Sequence, residues 1–130
     1  MNDIVRKILE DQPWYVATTG DGPNVVPIGF KKVCEDGTLI LADVAMNTTK
    51  NNILANGQIA IVVCDMETRK SFMVKGTASY VADGNVVDQL NKTAEEMNLP
   101  FRAREAVIVK PEKVIAKHPG PDNNQEAEWT

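Results

Sequence analysis

The pattern of apolar and polar positions along the chain predicts a domain built mainly from β-strands. Between residues 14 and 81 the apolar positions fall in short runs or in alternation, which is typical of strands that bury at least one face. Two turn-forming sequences, Gly20-Asp21-Gly22-Pro23 and Glu35-Asp36-Gly37, indicate hairpin connections. The predicted strands are 14–19, 24–33, 38–42, 58–65, 71–81, 105–109 and 113–117.

Other segments have the period of a helix instead. Residues 3–12 repeat their apolar side chains at i, i+4 spacing, and Pro13 closes the pattern. Residues 85–98 do the same before Pro100, with Asn85 as the expected cap. A helix is therefore predicted before the first strand and another after the fifth.

Together these elements predict a single mainly β domain, a β-barrel with short helices packed on it. Long apolar runs in nearly every strand favour a closed sheet, because closure removes exposed edges. Most connections are too short to hold the crossover helices of a parallel sheet. We expect the barrel to span residues 1–117 and the Pro/Gly-rich, then acidic segment 118–130 to be a tail outside the core, in which Trp129 alone is suited to docking.

Composition and charge narrow the class of function. The chain has 130 residues, of which 43% are hydrophobic and 25% charged, as is usual for a globular domain. A net charge of −4 argues against a nucleic-acid surface, which needs a basic face to displace counterions. No apolar run approaches the ~20 residues of a transmembrane helix, and residues 1–7 lack the apolar core of a signal peptide. We therefore expect a cytoplasmic protein that binds neither membrane nor nucleic acid.

The side chains that usually carry catalysis form no recognisable set in this sequence. Cys34 and Cys64 lie far apart and outside any C-x-x-C motif, so neither a disulfide nor a nucleophile is predicted. The one histidine, His118, has no cluster of cysteines or carboxylates beside it that would make a metal site. We assign no catalytic residue and no metal ligand, and expect a cofactor to carry any chemistry.

The segment from Asn47 to Gly57 combines a short helix with a candidate anion site. Asparagine suits the N-cap position, and glycine suits the left-handed residue that ends a helix. The first turn would hold Thr48, Thr49 and Lys50, so two hydroxyls, an ammonium group and free N–H groups lie at the positive end of the helix dipole. This combination suits a phosphate group, although threonine and asparagine are also common at helix starts simply as caps.

The strand at residues 24–33 contains Pro27 and Gly29, which are unusual in the middle of a strand. Proline cannot donate to a ladder, and glycine lets another group approach the backbone closely. Two interpretations are open: the middle of this strand faces a ligand, or the strand is a sheet edge protected by proline.

Several segments, in this order and spacing, resemble the pyridoxamine 5′-phosphate oxidase-like family of FMN-binding split barrels. The resemblance covers residues 3–117 and implies a Greek-key split β-barrel that forms a homodimer, with two FMN sites at the subunit interface. The matching segments are the helix–strand start, Asn24-Val25-Val26-Pro27-Ile28-Gly29-Phe30, Asp36-Gly37-Thr38-Leu39 and Asn47-Thr48-Thr49-Lys50-Asn51-Asn52-Ile53.

The same resemblance implies which residues would hold the cofactor. A Thr/Lys-rich helix start holds the flavin phosphate in such proteins, strand-two backbone borders the isoalloxazine ring, and the end of strand three passes beside the ribityl chain. Several family members have Lys or Arg where this chain has Thr48. The implied residues are Thr48, Thr49 and Lys50 for the phosphate, Asn52 supporting that turn, Pro27, Ile28 and Gly29 for the ring, and Asp43, Val44, Ala45 and Met46 for the ribityl chain.

The function implied is that of a small FMN-dependent oxidoreductase or electron-transfer module. A true pyridoxamine phosphate oxidase also carries a C-terminal segment that binds the substrate phosphate, whereas residues 125–130 of this chain are acidic and would repel it. Oxidation of vitamin B6 is therefore not the expected activity. One alternative is a non-catalytic protein that stores or senses flavin, or that holds haem or another cofactor. Another is a small barrel that binds single-stranded nucleic acid, which the shortage of aromatic residues beside basic ones disfavours.

Overall fold

The computed structural model describes residues 2–129, and within them the chain is mainly β, as predicted. None of the helices in this range is long and apolar enough to cross a membrane. The helices are α1 (Asp3–Asp11), α2 (Thr48–Asn56) and α3 (Gly84–Glu96). The strands are β1 (Trp14–Thr19), β2 (Pro23–Ile28), β3 (Lys31–Val33), β4 (Leu39–Asp43), β5 (Gln58–Asp65), β6 (Lys70–Tyr80), β7 (Glu105–Ala116) and β8 (Glu126–Ala127).

The strands form one antiparallel sheet that curls on itself. Hydrogen-bonded neighbours follow the order β2-β1-β5-β6-β7-β4-β3, and β8 adds to β7. The strands at the two ends of this order, β2 and β3, are consecutive in the chain and are joined by Gly29 and Phe30 alone. A link of this length spans about 11 Å at most. The two edges therefore lie close together, and the sheet makes a barrel that is split between β2 and β3.

The predicted second strand is thus two strands in the structure. β2 pairs with β1, whereas β3 pairs with β4, so the two halves belong to opposite edges of the sheet. The break falls at Gly29, where an added Cβ atom would meet nothing within 4 Å. The chain therefore changes direction in open space, which a continuous apolar pattern across residues 24–33 does not reveal.

The two predicted C-terminal strands are one continuous strand, β7. Pro111, which we expected to separate them, lies inside β7 and faces Gly76 of β6. The register shifts between Lys75 and Gly76, and this irregularity accommodates a residue that has no N–H to donate.

Replacing Gly76 by alanine is expected to lower the free energy of unfolding by about 1–3 kcal/mol. A Cβ atom at Gly76 would lie 2.4 Å from the carbonyl oxygen of Lys110, a backbone atom of the paired strand that can move only by disturbing the ladder. Gly84→Ala is the matched control, because a Cβ atom there meets nothing within 4 Å. Equal urea midpoints for the two variants would contradict this close approach of β6 and β7.

Two apolar clusters hold the fold together. The larger cluster fills the barrel and includes Trp14, which is fully buried. The Trp14 indole N–H donates to the carbonyl oxygen of Leu9 at 2.7 Å, which fastens α1 to the start of β1. The smaller cluster packs Leu90 and Ala94 of α3 against the outer face of β4 and β7.

The helix ends follow the predicted signals with one correction. Gly57 ends α2 in the left-handed region at φ 68, as expected. The cap of α3 is Asp83, whose carboxylate accepts the N–H of Asn85 at 2.9 Å, and not Asn85 itself. Asp83 caps the first turn, and Asn85 is therefore a residue of the helix itself.

The C-terminal segment contacts the barrel through Trp129, the residue that the sequence marked as suited to docking, while residues 119–126 are exposed. Trp129 is only 8% exposed, belongs to the main apolar cluster and donates its indole N–H to the carbonyl oxygen of Gly37 at 2.9 Å. His118 is also buried, and its Nε2 lies 2.8 Å from the Asp122 carboxylate. This hydrogen bond holds the pKa of Asp122 below its usual range. The contact of this segment with the barrel is hard to predict from sequence, because Trp129 is its one large apolar side chain and the residues around it are Pro, Gly or polar.

Candidate functional site

A cavity of about 480 Å³ opens where the barrel is split. Three pieces of chain enclose it: β2 with its link to β3, the end of β4 with the turn that follows, and the first turn of α2. The loop between α3 and β7 contributes one aromatic side chain. The lining residues are Asn24, Val26, Pro27, Ile28, Gly29, Phe30, Ala42, Val44, Ala45, Met46, Asn47, Thr48, Thr49 and Phe101.

One end of the cavity is polar because α2 begins there. Thr48 and Thr49 line it, and the first intrahelical bond runs from the N–H of Asn51 to the carbonyl oxygen of Asn47, at 3.0 Å. Asn47 occupies the N-cap position, as predicted, but its side chain makes no capping hydrogen bond. Its backbone, at φ −127 and ψ −79, lies outside the extended conformation from which an N-cap side chain reaches the helix. The N–H groups of the first turn therefore remain available to an anion.

An amide network fixes the hydroxyl group of Thr49. The Asn24 side-chain amide donates to Thr49 Oγ1 at 3.0 Å and to Thr18 Oγ1 at 3.3 Å. Because Thr49 Oγ1 accepts this bond, its own hydrogen can be donated to a ligand. Thr49 is 1% exposed, so its side chain is held by the surrounding protein atoms.

The other end of the cavity is apolar and bordered by backbone. Pro27, Ile28 and Gly29 lie at the edge of the sheet, where β2 has a ladder partner on one side only. β2 is therefore an edge strand, as one of the two interpretations held, and its last residues also border a cavity; that they face a ligand stays a prediction. Phe30 and Phe101 close this end with ring centroids 5.9 Å apart and planes tilted by 46°.

Most of the predicted cofactor-binding residues meet in this cavity, whereas three do not line it. Those that line it are Pro27, Ile28, Gly29, Val44, Ala45, Met46, Thr48 and Thr49. Those that the structure places behind its wall are Asp43, Lys50 and Asn52.

Lys50 turns toward β6 and β7. Its Nζ forms an ion pair with Glu105 and lies 5.2 Å from the centroid of the Tyr80 ring. An anion at the start of α2 would therefore meet N–H and hydroxyl groups first, while Lys50 is paired with Glu105. The sequence indicated a lysine in the first turn of the helix but could not indicate the carboxylate that holds it.

Asn52 braces α2 against the neighbouring strand. It is buried, and its side-chain amide donates to Thr18 Oγ1 at 3.1 Å. The side-chain oxygen Oδ1 of Asn52 occupies the space beside Gly20, so that a Cβ atom on Gly20 would lie 2.2 Å from it. Its predicted role in supporting the helix start stays a prediction, and its packing is suited to it.

Asp43 is fully buried under the turn that lines the cavity. Its carboxylate accepts the N–H of Met46 at 2.8 Å, the hydroxyl of Tyr80 at 2.6 Å and the guanidinium of Arg104 at 3.3 Å. Burial, followed by the bond to Asp43, raises the pKa of Tyr80 far above its usual value, so this phenol stays protonated as a donor. Asp43 therefore shapes the cavity wall without touching its interior.

Sequence reasoning gave no site role to five residues that have one here, namely Asn24, Phe30, Tyr80, Phe101 and Arg104. Each comes from an element distant in sequence from the helix start, and its role depends on the partner that the fold supplies. Phe101, an apolar aromatic residue in a short loop after Pro100, was the one with a signal in the sequence.

Comparison with known proteins identifies the family. The sequence profile described as "Pyridoxamine 5'-phosphate oxidase" matches residues 1–118, which is most of the chain. This chain belongs to the pyridoxamine 5'-phosphate oxidase family. A curated relative in Methanocaldococcus jannaschii, the uncharacterized protein MJ0282, is 30% identical over 126 residues, covering 94% of this chain and 84% of the relative.

Solved structures share the fold of this pyridoxamine 5'-phosphate oxidase family member. HupZ of Group A Streptococcus has a TM-score of 0.84 at 22% identity, over 98% of this chain and 99% of that one. An FMN-binding protein of Syntrophomonas wolfei has a TM-score of 0.70 at 17% identity, over 82% and 78%. A protein of Clostridium acetobutylicum related to general stress protein 26, of the pyridoxinephosphate oxidase family, has a TM-score of 0.69 at 16% identity, over 88% and 86%. These similarities support the split-barrel fold that the sequence predicts.

Proposed function

We propose that this protein binds FMN in the cavity at the split of the barrel. The observation that carries the proposal is the cavity's division into an uncapped helix start at one end and an apolar slot beside a strand edge at the other. FMN has the same two parts, a phosphate and a flat ring. Its phosphate would accept N–H groups of α2 and the hydroxyls of Thr48 and Thr49, while its ring would lie against Pro27, Ile28 and Gly29.

The size and polarity of the cavity support the proposal. Ligand sites generally occupy ~300–1,000 Å³, and the cavity volume of about 480 Å³ falls in this range. Within residues 2–129, every side chain that lines the cavity is uncharged. Neutral donors can hold an anion when their N–H and O–H groups converge on it, since their dipoles are already oriented.

We further propose that the bound flavin makes this protein a small oxidoreductase or an electron-transfer module. Flavins supply hydride and single-electron chemistry when bound. The contribution of the chain is to anchor the phosphate, to offer backbone hydrogen bonds at the edge of β2, and to shield one side of the ring with Phe30 and Phe101. We assign no catalytic side chain, since none of the described residues in the cavity wall is titratable.

The same uncharged wall keeps a second function open, that of a non-catalytic flavin store or sensor. Anaerobic addition of NADH or NADPH to the FMN-loaded protein separates the two functions. Bleaching of the flavin band, followed by repeated reoxidation by an acceptor, is expected for the oxidoreductase. A flavin that stays oxidised with both donors, or that leaves the protein on reduction, would favour storage.

We also propose that the protein is a homodimer whose interface lies beside the cavity. A row of outward-facing side chains crosses the sheet through paired positions of β2, β1, β5, β6 and β7. This row, which we call the outer stripe, is apolar along its whole length, and exposed apolar patches of this kind generally mark interaction sites. The outer stripe consists of Pro27, Tyr15, Val62, Met73 and Ile115.

Two observations favour a second copy of this chain as the occupant of the outer stripe. Pro27 belongs both to the stripe and to the cavity wall, so a partner seated there would close the open side of the ligand site. Val25, the next outward residue of β2, is 61% exposed and extends the apolar surface. A two-fold dimer pairs the same patch on both copies, which an uncharged stripe allows without repulsion.

Replacing Val25 by lysine is expected to convert the dimer into a monomer at micromolar concentration. The substitution adds a charge beside the outer stripe on both copies, and this charge would have to be desolvated when the two copies associate. Met97→Lys is the control, because Met97 is similarly exposed, at 64%, but lies at the end of α3. Sedimentation velocity measures both variants. A wild-type monomer, or a Val25→Lys dimer as tight as the control, would contradict the proposed interface.

A further inference from the structure

Two loops face each other at the apolar end of the cavity. The first, which we call the 43–46 turn, follows β4 and contributes Val44, Ala45 and Met46 to the wall. The second, the 97–104 loop, joins α3 to β7 and contributes Phe101. Their relative position sets the width of the slot in which a flat ring would lie.

Arg104 joins these two loops directly. Its guanidinium donates to the carbonyl oxygen of Met46 and to the Asp43 carboxylate, the latter at 3.3 Å. Its backbone N–H donates to the carbonyl oxygen of Asp43 at 2.9 Å. The last residue of the 97–104 loop is therefore tied at three points to the 43–46 turn.

The acceptor for Arg104 is held by groups other than the arginine. Asp43 is fully buried, and it also accepts the N–H of Met46 and the hydroxyl of Tyr80. A carboxylate held in this way presents a fixed acceptor to the guanidinium, whose planar fork matches such an acceptor better than an ammonium group does. The arginine itself is half-exposed, and glutamine at this position keeps an amide donor, so Arg104→Gln leaves the Asp43 carboxylate with hydrogen-bond donors.

We propose that Arg104 is a positioning residue that holds Phe101 in the wall of the cavity, against the ring of the bound flavin. The proposal rests on the proposed function for its ligand. Phe101 is 38% exposed, lines the cavity and leans on Phe30, so one side of its ring is free for a second planar group. Arg104 bonds the 43–46 turn, and this tie acts on the ligand through Phe101, whose loop it holds in place.

The test compares flavins with and without a phosphate. Arg104→Gln is expected to raise the Kd of FMN and the Kd of riboflavin by the same factor, about tenfold, because the two loops border the ring end of the cavity. Arg104→Lys keeps the charge but only one donor group, so it should recover part of the loss. Flavin fluorescence measures each Kd, and visible circular dichroism of the bound ring should change in Arg104→Gln. A larger loss for FMN than for riboflavin would overturn the proposal.

A double substitution tests whether Arg104 acts through Phe101. In the Phe101→Ala background, Arg104→Gln should weaken flavin binding by about twofold at most, because the side chain that it positions is already absent. Arg69→Gln is the control, because it removes the same charge from an exposed residue in the turn between β5 and β6, which does not line the cavity. Fully additive losses, or an equal loss in Arg69→Gln, would overturn the proposal.

A second measurement needs no ligand and so separates this proposal from the proposed function. Amide hydrogen exchange of residues 99–103 in the flavin-free protein should be faster in Arg104→Gln than in the wild type, with exchange in α1 unchanged. If the wild type bound no flavin at all, the proposed function would fail, and exchange alone would decide whether Arg104 holds the loop. Unchanged exchange would overturn the proposal.

Discussion

Replacing Thr48 by glutamate is expected to raise the Kd for FMN by about 100-fold or more and the Kd for riboflavin by about twofold at most. Thr48 begins α2 and lines the polar end of the cavity. A carboxylate there would face the phosphate that the N–H groups of the helix are proposed to bind. Riboflavin lacks the phosphate, so its ring and ribityl contacts would be largely unaffected.

This substitution should leave the fold intact, since Thr48 is exposed and an acidic residue in the first turn favours the helix dipole. Ala55→Glu is the matched control, because it adds the same charge to an exposed position near the other end of α2. Titrations of both flavins, followed by fluorescence quenching, give the four dissociation constants. Equal weakening of FMN and riboflavin in Thr48→Glu would show that the phosphate does not lie at the start of α2.

Replacing Trp129 by alanine is expected to lower the free energy of unfolding by about 3–5 kcal/mol, which corresponds to a fall of roughly 10–20 °C in Tm. The indole is almost fully buried in the main apolar cluster, and its N–H donates to the carbonyl oxygen of Gly37. Its loss would leave a cavity under the β3–β4 hairpin and an unpaired carbonyl group. Differential scanning calorimetry measures the change.

Trp129→Phe separates packing from hydrogen bonding at this position. It keeps most of the apolar volume but removes the donor, so we expect a loss of about 1–2 kcal/mol. The difference between the two variants then reports the buried aromatic volume alone. A Trp129→Ala protein as stable as the wild type would show that the C-terminal segment does not dock in solution.

The sequence predicted the elements well where local signals agree with the fold. Alternating apolar positions and Gly/Asp turns located β1, β4 and β5, and Gly57 marked the end of α2. The break at Gly29 and the continuity of β7 through Pro111 escaped prediction, because both depend on which strand lies opposite. Pro111 is tolerated where it stands because Gly76 of β6 faces it, and 34 residues of intervening chain hide that pairing from local analysis.

In the candidate site, too, the features set by local sequence were predicted, and those that depend on a distant partner were not. The helix-capping residues in the segment 47–57 indicated where the polar end of the cavity lies. Pro27 and Gly29, which are unusual inside a strand, indicated the strand edge at the apolar end. The direction of a long side chain such as Lys50 escaped prediction, because Glu105 comes from a strand 55 residues away. Arg104 escaped for the same reason, since its acceptors, Asp43 and Met46, lie 61 and 58 residues away in the sequence, at the end of the paired strand β4 and just after it.

The central claim, that the cavity binds FMN, is tested most directly by titrating the purified protein with FMN while recording its visible spectrum and flavin fluorescence. We expect a yellow protein and quenching that saturates at one FMN per chain, with weaker binding of riboflavin. Fluorescence that rises linearly as FMN is added, as for free flavin, would contradict the account and leave the split-barrel fold without its proposed ligand.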